Sequence, residues 1–567
     1  MSRSPCGTGY QPVNLHMQER YMGWWPMPRK APMPVLAVFG PLDWGVVAGY
    51  FALMICIGVL TSRRRQDTKD YFLGGRSLPT WAVSISIVAT TLSAATFVGA
   101  PEQSYRGDLS YLSFTLGNFL AVLVVCTLFI PPLYRAGTVT IYGYLARRYG
   151  EGARVAVSVM FLAGRMLASG ARLFIAAMPL CLLLFARRGQ TDFVASKGQL
   201  ILAVCLIGLI GTFYTTLGGI RTVVWTDVIQ FFIVVGAAVL TVGLLLHRIH
   251  RTPAEIFHVL SDPNTGPHGH SKLLLFDFST DPNAPFTLWA AILGNTFLTT
   301  ASLGVDQDFA QRFLISRSPL KGALSVVYSQ IIGVVVVAGF MLIGLLLYVF
   351  YQRPDVMGPN APNYAPAPAN VYPSFLLSEL PTVISGIAIA GFFAIAQGSM
   401  DSAINALASS AISDIYLPLR GRLGHVDSAP AGSDVPKVAV ALMGVAMVLF
   451  AIVCTWLYGG QDRTLIDFAL GVMSFAYTGM LGVFLTALLT RRGNATSVVA
   501  ALLTGVLVFT LLQPAAMDRW SSFLFRRHWR LASTWWMPIG TIISFLVCAA
   551  GSSPAKPAGL VARASRP

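Results

Sequence analysis

About thirteen windows of this chain are long and apolar enough to cross a bilayer, and no other feature constrains the fold as tightly. They fall near 43–62, 79–103, 109–135, 153–186, 198–217, 222–246, 286–305, 322–351, 376–416, 436–458, 464–490, 496–514 and 534–551. A run of roughly 20 apolar residues spans the hydrocarbon core as a helix. Inside that core each backbone N–H and C=O must find its partner within the chain. The expected fold class is therefore an all-α integral membrane protein of about thirteen transmembrane helices. Only 11% of the 567 residues are charged against 55% hydrophobic, with a mean hydropathy of +0.64, so no stretch is left for a soluble domain. Residues 1–40 read as a poorly ordered extension rather than a signal peptide, and residues 552–567 as a short tail.

The formal net charge of +16 could suggest a nucleic-acid partner, but its placement is topological. Basic clusters at Arg63-Arg64-Arg65, Arg147-Arg148 with Arg154, Arg312 through Lys321, Arg420 with Arg422, and Arg491-Arg492 fall in alternate loops. That is the pattern of the positive-inside rule. It predicts a multi-pass protein of the cell inner (plasma) membrane, with the N-terminus outside and the C-terminus cytoplasmic. Arg187-Arg188 and Arg526-Arg527 with Arg530 run against the pattern. The partner implied is the lipid bilayer, with no nucleic acid and no required protein partner. None of the eight histidines falls in an apolar window, and the seven cysteines show no metal-ligand spacing. A membrane-embedded enzyme would need catalytic groups converging on one face, so the chain reads as a non-enzyme.

The window 79–103 is unusual inside. Its centre, Ala89-Thr90-Thr91-Leu92-Ser93-Ala94-Ala95-Thr96, is built of small and hydroxyl residues, with Gly99 and Pro101 after it. One reading is close helix packing through small residues. The other is an unwound turn whose bare carbonyls line a protein-buried cavity or hold an ion. Charges inside windows default to function, because each costs at least about 2.5 kcal/mol at a helix centre. Four stand out: Arg165, Arg172, Asp227 and Asp401. Arg165 lies twelve residues into its window, roughly 18 Å deep at about 1.5 Å per residue. It could pair with Asp227 or Asp401 as a structural ion pair, whereas Arg172 is close enough to the outer end to snorkel. If the windows from the second to the sixth and from the seventh to the eleventh are inverted repeats, the hydroxyl-rich stretch around Asp401 faces the small-residue break. Oxygens from both could then cage a hard cation.

Four segments carry a resemblance: YFLGGRSLPTWAVSISIVATTLSAATFVG (71–99), GGIRTVVWTDVIQFF (218–232), DQDFAQRFL (306–314) and SMDSAINALASSAISDIY (399–416). Together they resemble the sodium/solute symporter family, in register from about 43 to 490. The resemblance implies the five-plus-five inverted-repeat (LeuT-type) fold, with Na+ as the coupling ion and a small-molecule substrate. The transporter domain would run over 41–551, its repeats over about 79–246 and 286–490, with flanking helices 43–62, 496–514 and 534–551.

Carried over by position, the main sodium site would use the carbonyls of Ala89, Leu92 and Ile395 and the hydroxyl of Ser399. The neighbouring position, usually a second hydroxyl, is Gly398 here, so one ligand is missing. A second sodium site would involve Asp227, Asp401 and Ser402. The substrate pocket would be lined by Thr91, Ser93, Thr96, Phe114, Asn118 and Arg165, a set most like the sialic-acid symporter branch. An arginine forks onto a carboxylate, so the expected substrate is an organic anion such as a sialic acid or another carboxylate. A neutral sugar, polyol or amino acid, or a transporter without strict sodium dependence, stays open.

Overall fold

A computed structural model describes residues 39–61, 68–185, 195–362, 364–366, 368, 371–423, 434–457, 465–526 and 529–552. Most of the N-terminal extension, nearly all of the tail, Arg63-Arg64-Arg65 and Arg187-Arg188 lie outside the described residues. The helices that matter here are α1 (Pro41–Thr61), α2 (Thr80–Thr91), α3 (Ala94–Arg106), α4 (Ser110–Ala136), α5 (Glu151–Phe185), α6 (Lys197–Ile249), α7 (Ala290–Val305), α8 (Gln307–Leu314), α9 (Pro319–Gln352), α10 (Ile384–Arg422), α11 (Val435–Leu457), α12 (Leu465–Leu489), α13 (Ala495–Leu512) and α14 (Trp536–Ala550). They occupy every apolar window read from the sequence.

Two of the helices are not single rods. The 53 residues of α6 would reach about 80 Å at about 1.5 Å per residue, well over twice a hydrocarbon core. Gly219 breaks it with φ 60° and ψ −153°, so the two windows become two spans. A side chain there would meet the Tyr71 carbonyl at 2.6 Å, and the left-handed φ penalises any residue with a Cβ. The second interruption separates α2 from α3, whose axes differ by 64°. Leu92 (φ −67°, ψ 130°) and Ser93 (φ −130°, ψ 168°) are extended. The N–H groups of Thr96 and Phe97 both turn to the Ser93 carbonyl. The helical ladder is therefore interrupted above Ala89 and Leu92, and of the two readings the broken helix is the one adopted.

The hydroxyl-rich helix α10 is the centre of the molecule. In its most apolar stretch 94% of residues are buried, against 22% in the peripheral α1. Its N-terminus starts after Val383, which has φ 75°, a costly conformation for a β-branched residue. Asp43 of α1 compensates by accepting from Val383 N (2.7 Å), Gly386 N (3.0 Å) and the Ser385 hydroxyl (2.8 Å). Near the other end, Asp414 sits in a π-helical turn and accepts from Thr140 (2.5 Å), Ser158 (2.7 Å) and Arg154 Nε (2.8 Å). Arg154, read from sequence as a loop charge, is thus the partner of a buried carboxylate.

Candidate functional site

The site assembles where the α2–α3 break, the second half of α6 and the middle of α10 meet. Ala89, Leu92, Ile395 and Ser399 are all buried, and the Ser399 hydroxyl donates to the Ala396 carbonyl at 3.0 Å. Gly398 is the point of closest convergence. A methyl group there would lie 2.9 Å from Gln230 Oε1, 3.5 Å from Asp227 Oδ1 and 3.9 Å from the Ala89 carbonyl oxygen. Asp227 Oδ1 and Gln230 Oε1 are buried atoms with no hydrogen-bond partner. Buried acceptors left unpaired are costly and uncommon.

The rest of Asp227 is engaged. Its Oδ2 accepts from the Ser86 hydroxyl (2.5 Å) and from Arg312 Nη2 (3.1 Å). Arg312 also donates to Asp308 Oδ1 (2.7 Å) and to the Ser402 hydroxyl. Ser402 donates in turn to the Gly398 carbonyl at 2.6 Å and lies 3.3 Å from the Thr90 hydroxyl. Asp401 receives the Tyr214 hydroxyl on Oδ2, and the Thr215 side chain lies within hydrogen-bonding reach of the same carboxylate. Of the three residues expected at a second cation site, Asp227 and Ser402 are brought together through Arg312.

Arg165 is placed differently from the sequence expectation. Its guanidinium holds Asp306 Oδ2 (3.0 Å) and Asp308, with neither Asp227 nor Asp401 as the ion-pair partner observed. Tyr477 donates to the same Asp306 oxygen. The acids Asp306 and Asp308 were missed because they follow an apolar window, and Arg312 was read as the start of a loop cluster. All three are fully buried. The signal that could have found them is the Asp308–Arg312 spacing of four, which places acid and base on one helical face. Gln230 was missed as a neutral residue, although it stands three residues after Asp227 on the same face.

The remaining substrate candidates form two groups. Thr91 is exposed, its hydroxyl donating to the Ile87 carbonyl (2.9 Å), and Ser93 and Thr96 flank the break with it. On α4, Asn118 Oδ1 accepts from Asn295 Nδ2 (2.8 Å) and the Thr299 hydroxyl (2.7 Å) of α7. Asn295 also donates to the Phe114 carbonyl at 2.8 Å. Asn295 lies in a π-helical turn, a local widening that often marks functional positions.

Among the described residues no three His, Cys, Asp or Glu side chains converge as a metal cage. A cation here would be held by carbonyl, amide and hydroxyl oxygens with a single carboxylate, a donor set suited to a hard ion of low charge.

Comparison with known proteins bears directly on this arrangement. A sodium/sialic acid symporter of Proteus mirabilis is 29% identical over 476 residues, which covers 83% of this chain and 89% of the relative. The sodium/iodide cotransporter of Homo sapiens is 27% identical over 482 residues, covering 82% of this chain and 69% of the relative. The solved structure of a sodium-coupled sialic acid symporter, substrate-bound and outward-open, matches with a TM-score of 0.72 and 24% identity, over 90% of this chain and 98% of the other. At that identity the likeness speaks for the fold, the five-plus-five LeuT-type arrangement. The family profile described as sodium:solute symporter matches residues 71–505. The chain belongs to the sodium:solute symporter family.

Proposed function

We propose that this protein is a sodium-coupled symporter for a small organic anion, such as a sialic acid or another carboxylate. The observation that carries the reading is the convergence of unpaired buried acceptor oxygens beside the α2–α3 break. The family membership and the anionic cargoes named for the two relatives support it. Sodium would bind through the carbonyls of Ala89, Leu92 and Ile395 and the Ser399 hydroxyl, and a second ion through Asp227, Asp401 and Ser402. The substrate would meet Thr91, Ser93, Thr96, Phe114, Asn118 and Arg165. For Arg165 to take a substrate carboxylate, Asp306 or Asp308 must yield it, so the substrate competes with internal acids for one fork.

Energetics permit the coupling. One positive charge moving inward gains roughly 2.3 kcal/mol per 100 mV, and a tenfold sodium gradient adds about 1.4 kcal/mol. A monovalent anion cancels the electrical contribution of one sodium ion, which is what a second ion would restore. The protein would sit in the inner (plasma) membrane with its N-terminus outside, repeats over about 79–246 and 286–490, no catalytic activity and no required protein partner. Uptake of a carboxylate library into proteoliposomes, in sodium against choline, tests the proposal. Uptake equal in both buffers would refute the coupling.

A neutral sugar, polyol or amino acid is the second reading. It is favoured by the closure of Arg165 on Asp306 and Asp308, and transport confined to such a solute would establish it.

A further inference from the structure

Gly398 is the position at which the resemblance leaves the main sodium site one ligand short, and it is also where three oxygens gather. The three heavy atoms nearest a methyl group placed there, outside the glycine's own turn, are all acceptors: Gln230 Oε1, Asp227 Oδ1 and the Ala89 carbonyl. We infer that the sodium site of this chain is rebuilt around the Gly398 notch, with Gln230 Oε1 and Asp227 Oδ1 as ligands in place of the missing hydroxyl. The inference rests on the sodium-symporter reading above and specifies its ligands.

Three arguments support it. The first is valence. A water molecule has two protons to donate and cannot satisfy three acceptors, whereas one cation can. The second is orientation. Tyr50 donates its single proton to Gln397 Oε1 at 2.7 Å and accepts from Gln230 Nε2 at 3.1 Å. That contact turns the amide so that its oxygen faces the notch, which makes Tyr50 a positioning residue. The third is space. A Cβ at 398 would stand 2.9 Å from Gln230 Oε1, closer than side-chain carbons approach such an atom, so glycine at 398 and the inward amide require one another. The other carboxylate oxygen of Asp227, engaged by Ser86 and Arg312, fixes the direction of Oδ1.

The test is equilibrium binding of radiolabelled sodium to the purified full-length protein without substrate. Gly398→Ser returns the hydroxyl that the family pattern calls for, and the two accounts predict opposite signs. The notch account expects Gly398→Ser and Gly398→Ala each to weaken sodium binding at least tenfold, because both displace Gln230. If Gly398→Ser tightens binding, the hydroxyl was simply missing and the inference is overturned while sodium coupling stands. Should the Gly398 variants fail to fold, Gln230→Glu and Gln230→Leu carry the test. Gln230→Glu keeps an oxygen at the notch and is expected to bind at least as tightly as wild type, with Gln230→Leu at least tenfold weaker. Equal affinity in Gln230→Leu and wild type would also overturn it. Absence of saturable sodium binding in the wild type would refute the symporter reading itself.

Discussion

Asp306 and Asp227 are both fully buried carboxylates, yet their surroundings differ in kind. Asp306 shares Arg165 with Asp308, receives Tyr477 on Oδ2, and accepts from the Asp308 N–H at 2.8 Å on Oδ1. Both of its oxygens are engaged from within the chain, and the group is a closed brace. Asp227 has one engaged oxygen and one that faces Gln230 and Ala89 with no donor. Arg312 joins the two clusters, holding Asp308 with Nη1 and Asp227 with Nη2. A closed cluster of charges leaves no oxygen to spare; the open one leaves Asp227 Oδ1 without a donor.

A third cluster shows how the same chain treats a gathering of carbonyls when it brings its own cation. In the segment between α6 and α7, the Lys272 ammonium is buried against the carbonyls of Tyr105 (2.8 Å), Gly107 (2.8 Å) and Ser104 (3.3 Å) at the C-terminal end of α3, 4.1 Å from the centre of the Tyr348 ring. Acceptors at a helix C-terminus attract positive charge. Here a side chain supplies it; at the Gly398 notch no side chain among the described residues donates to Asp227 Oδ1 or Gln230 Oε1.

The comparison breaks first if the bridging arginine proves dispensable. Arg312→Met removes the shared partner of Asp227 and Asp308, and stranding buried charges in this way typically costs about 3–5 kcal/mol. Thermal unfolding in detergent should show a loss of that order, and a change below about 1 kcal/mol would mean that the clusters do not depend on it.

Lys272 sharpens the comparison through pH. Burial pulls its ammonium from 10.5 to about 8, with Asp108 pulling the other way. The folded value lies below the unfolded one, so the charged form is penalised by folding. The penalty is complete below about pH 8 and relieved as the pH rises to 10.5. Wild-type stability relative to Lys272→Met should therefore rise over that window, by up to about 3 kcal/mol. A difference that is flat with pH would remove Lys272 from the account.

The smallest expected effect concerns the fork of Arg165. Arg165→Lys keeps the charge and loses the bidentate geometry, and should raise the apparent substrate dissociation constant at least tenfold, about 1.4 kcal/mol. If unfolding stability falls while substrate affinity holds, Arg165 belongs wholly to the brace.

How much of this was legible depended on whether the chemistry stood out from its surroundings. The break at Leu92-Ser93 was visible because small and hydroxyl residues interrupt an otherwise apolar window. The burial of α10 was visible as hydroxyls and Asp401 where lipid-facing residues would be apolar. Arg312 was hidden because burial of the short helix α8 is a tertiary fact, and a basic residue beside a loop reads as topology. The partners of Arg165 were hidden for the same reason, since Asp306 and Asp308 reach it only when α5 and α8 pack. Gln230 carries no charge and offers no hydropathy signal, and its role depends on a glycine 168 residues away in sequence.

The most direct test of the central claim, that the open cluster binds a cation and the closed one does not, is sodium-dependent stabilisation without substrate. A ligand at about 100 times its dissociation constant stabilises the folded state by about 2.7 kcal/mol. Raising sodium at constant ionic strength against choline should raise the unfolding temperature of the wild type and of Asp306→Asn alike, and leave Asp227→Asn unmoved. Equal shifts in sodium and choline for the wild type, or a sodium shift that survives in Asp227→Asn, would contradict the account.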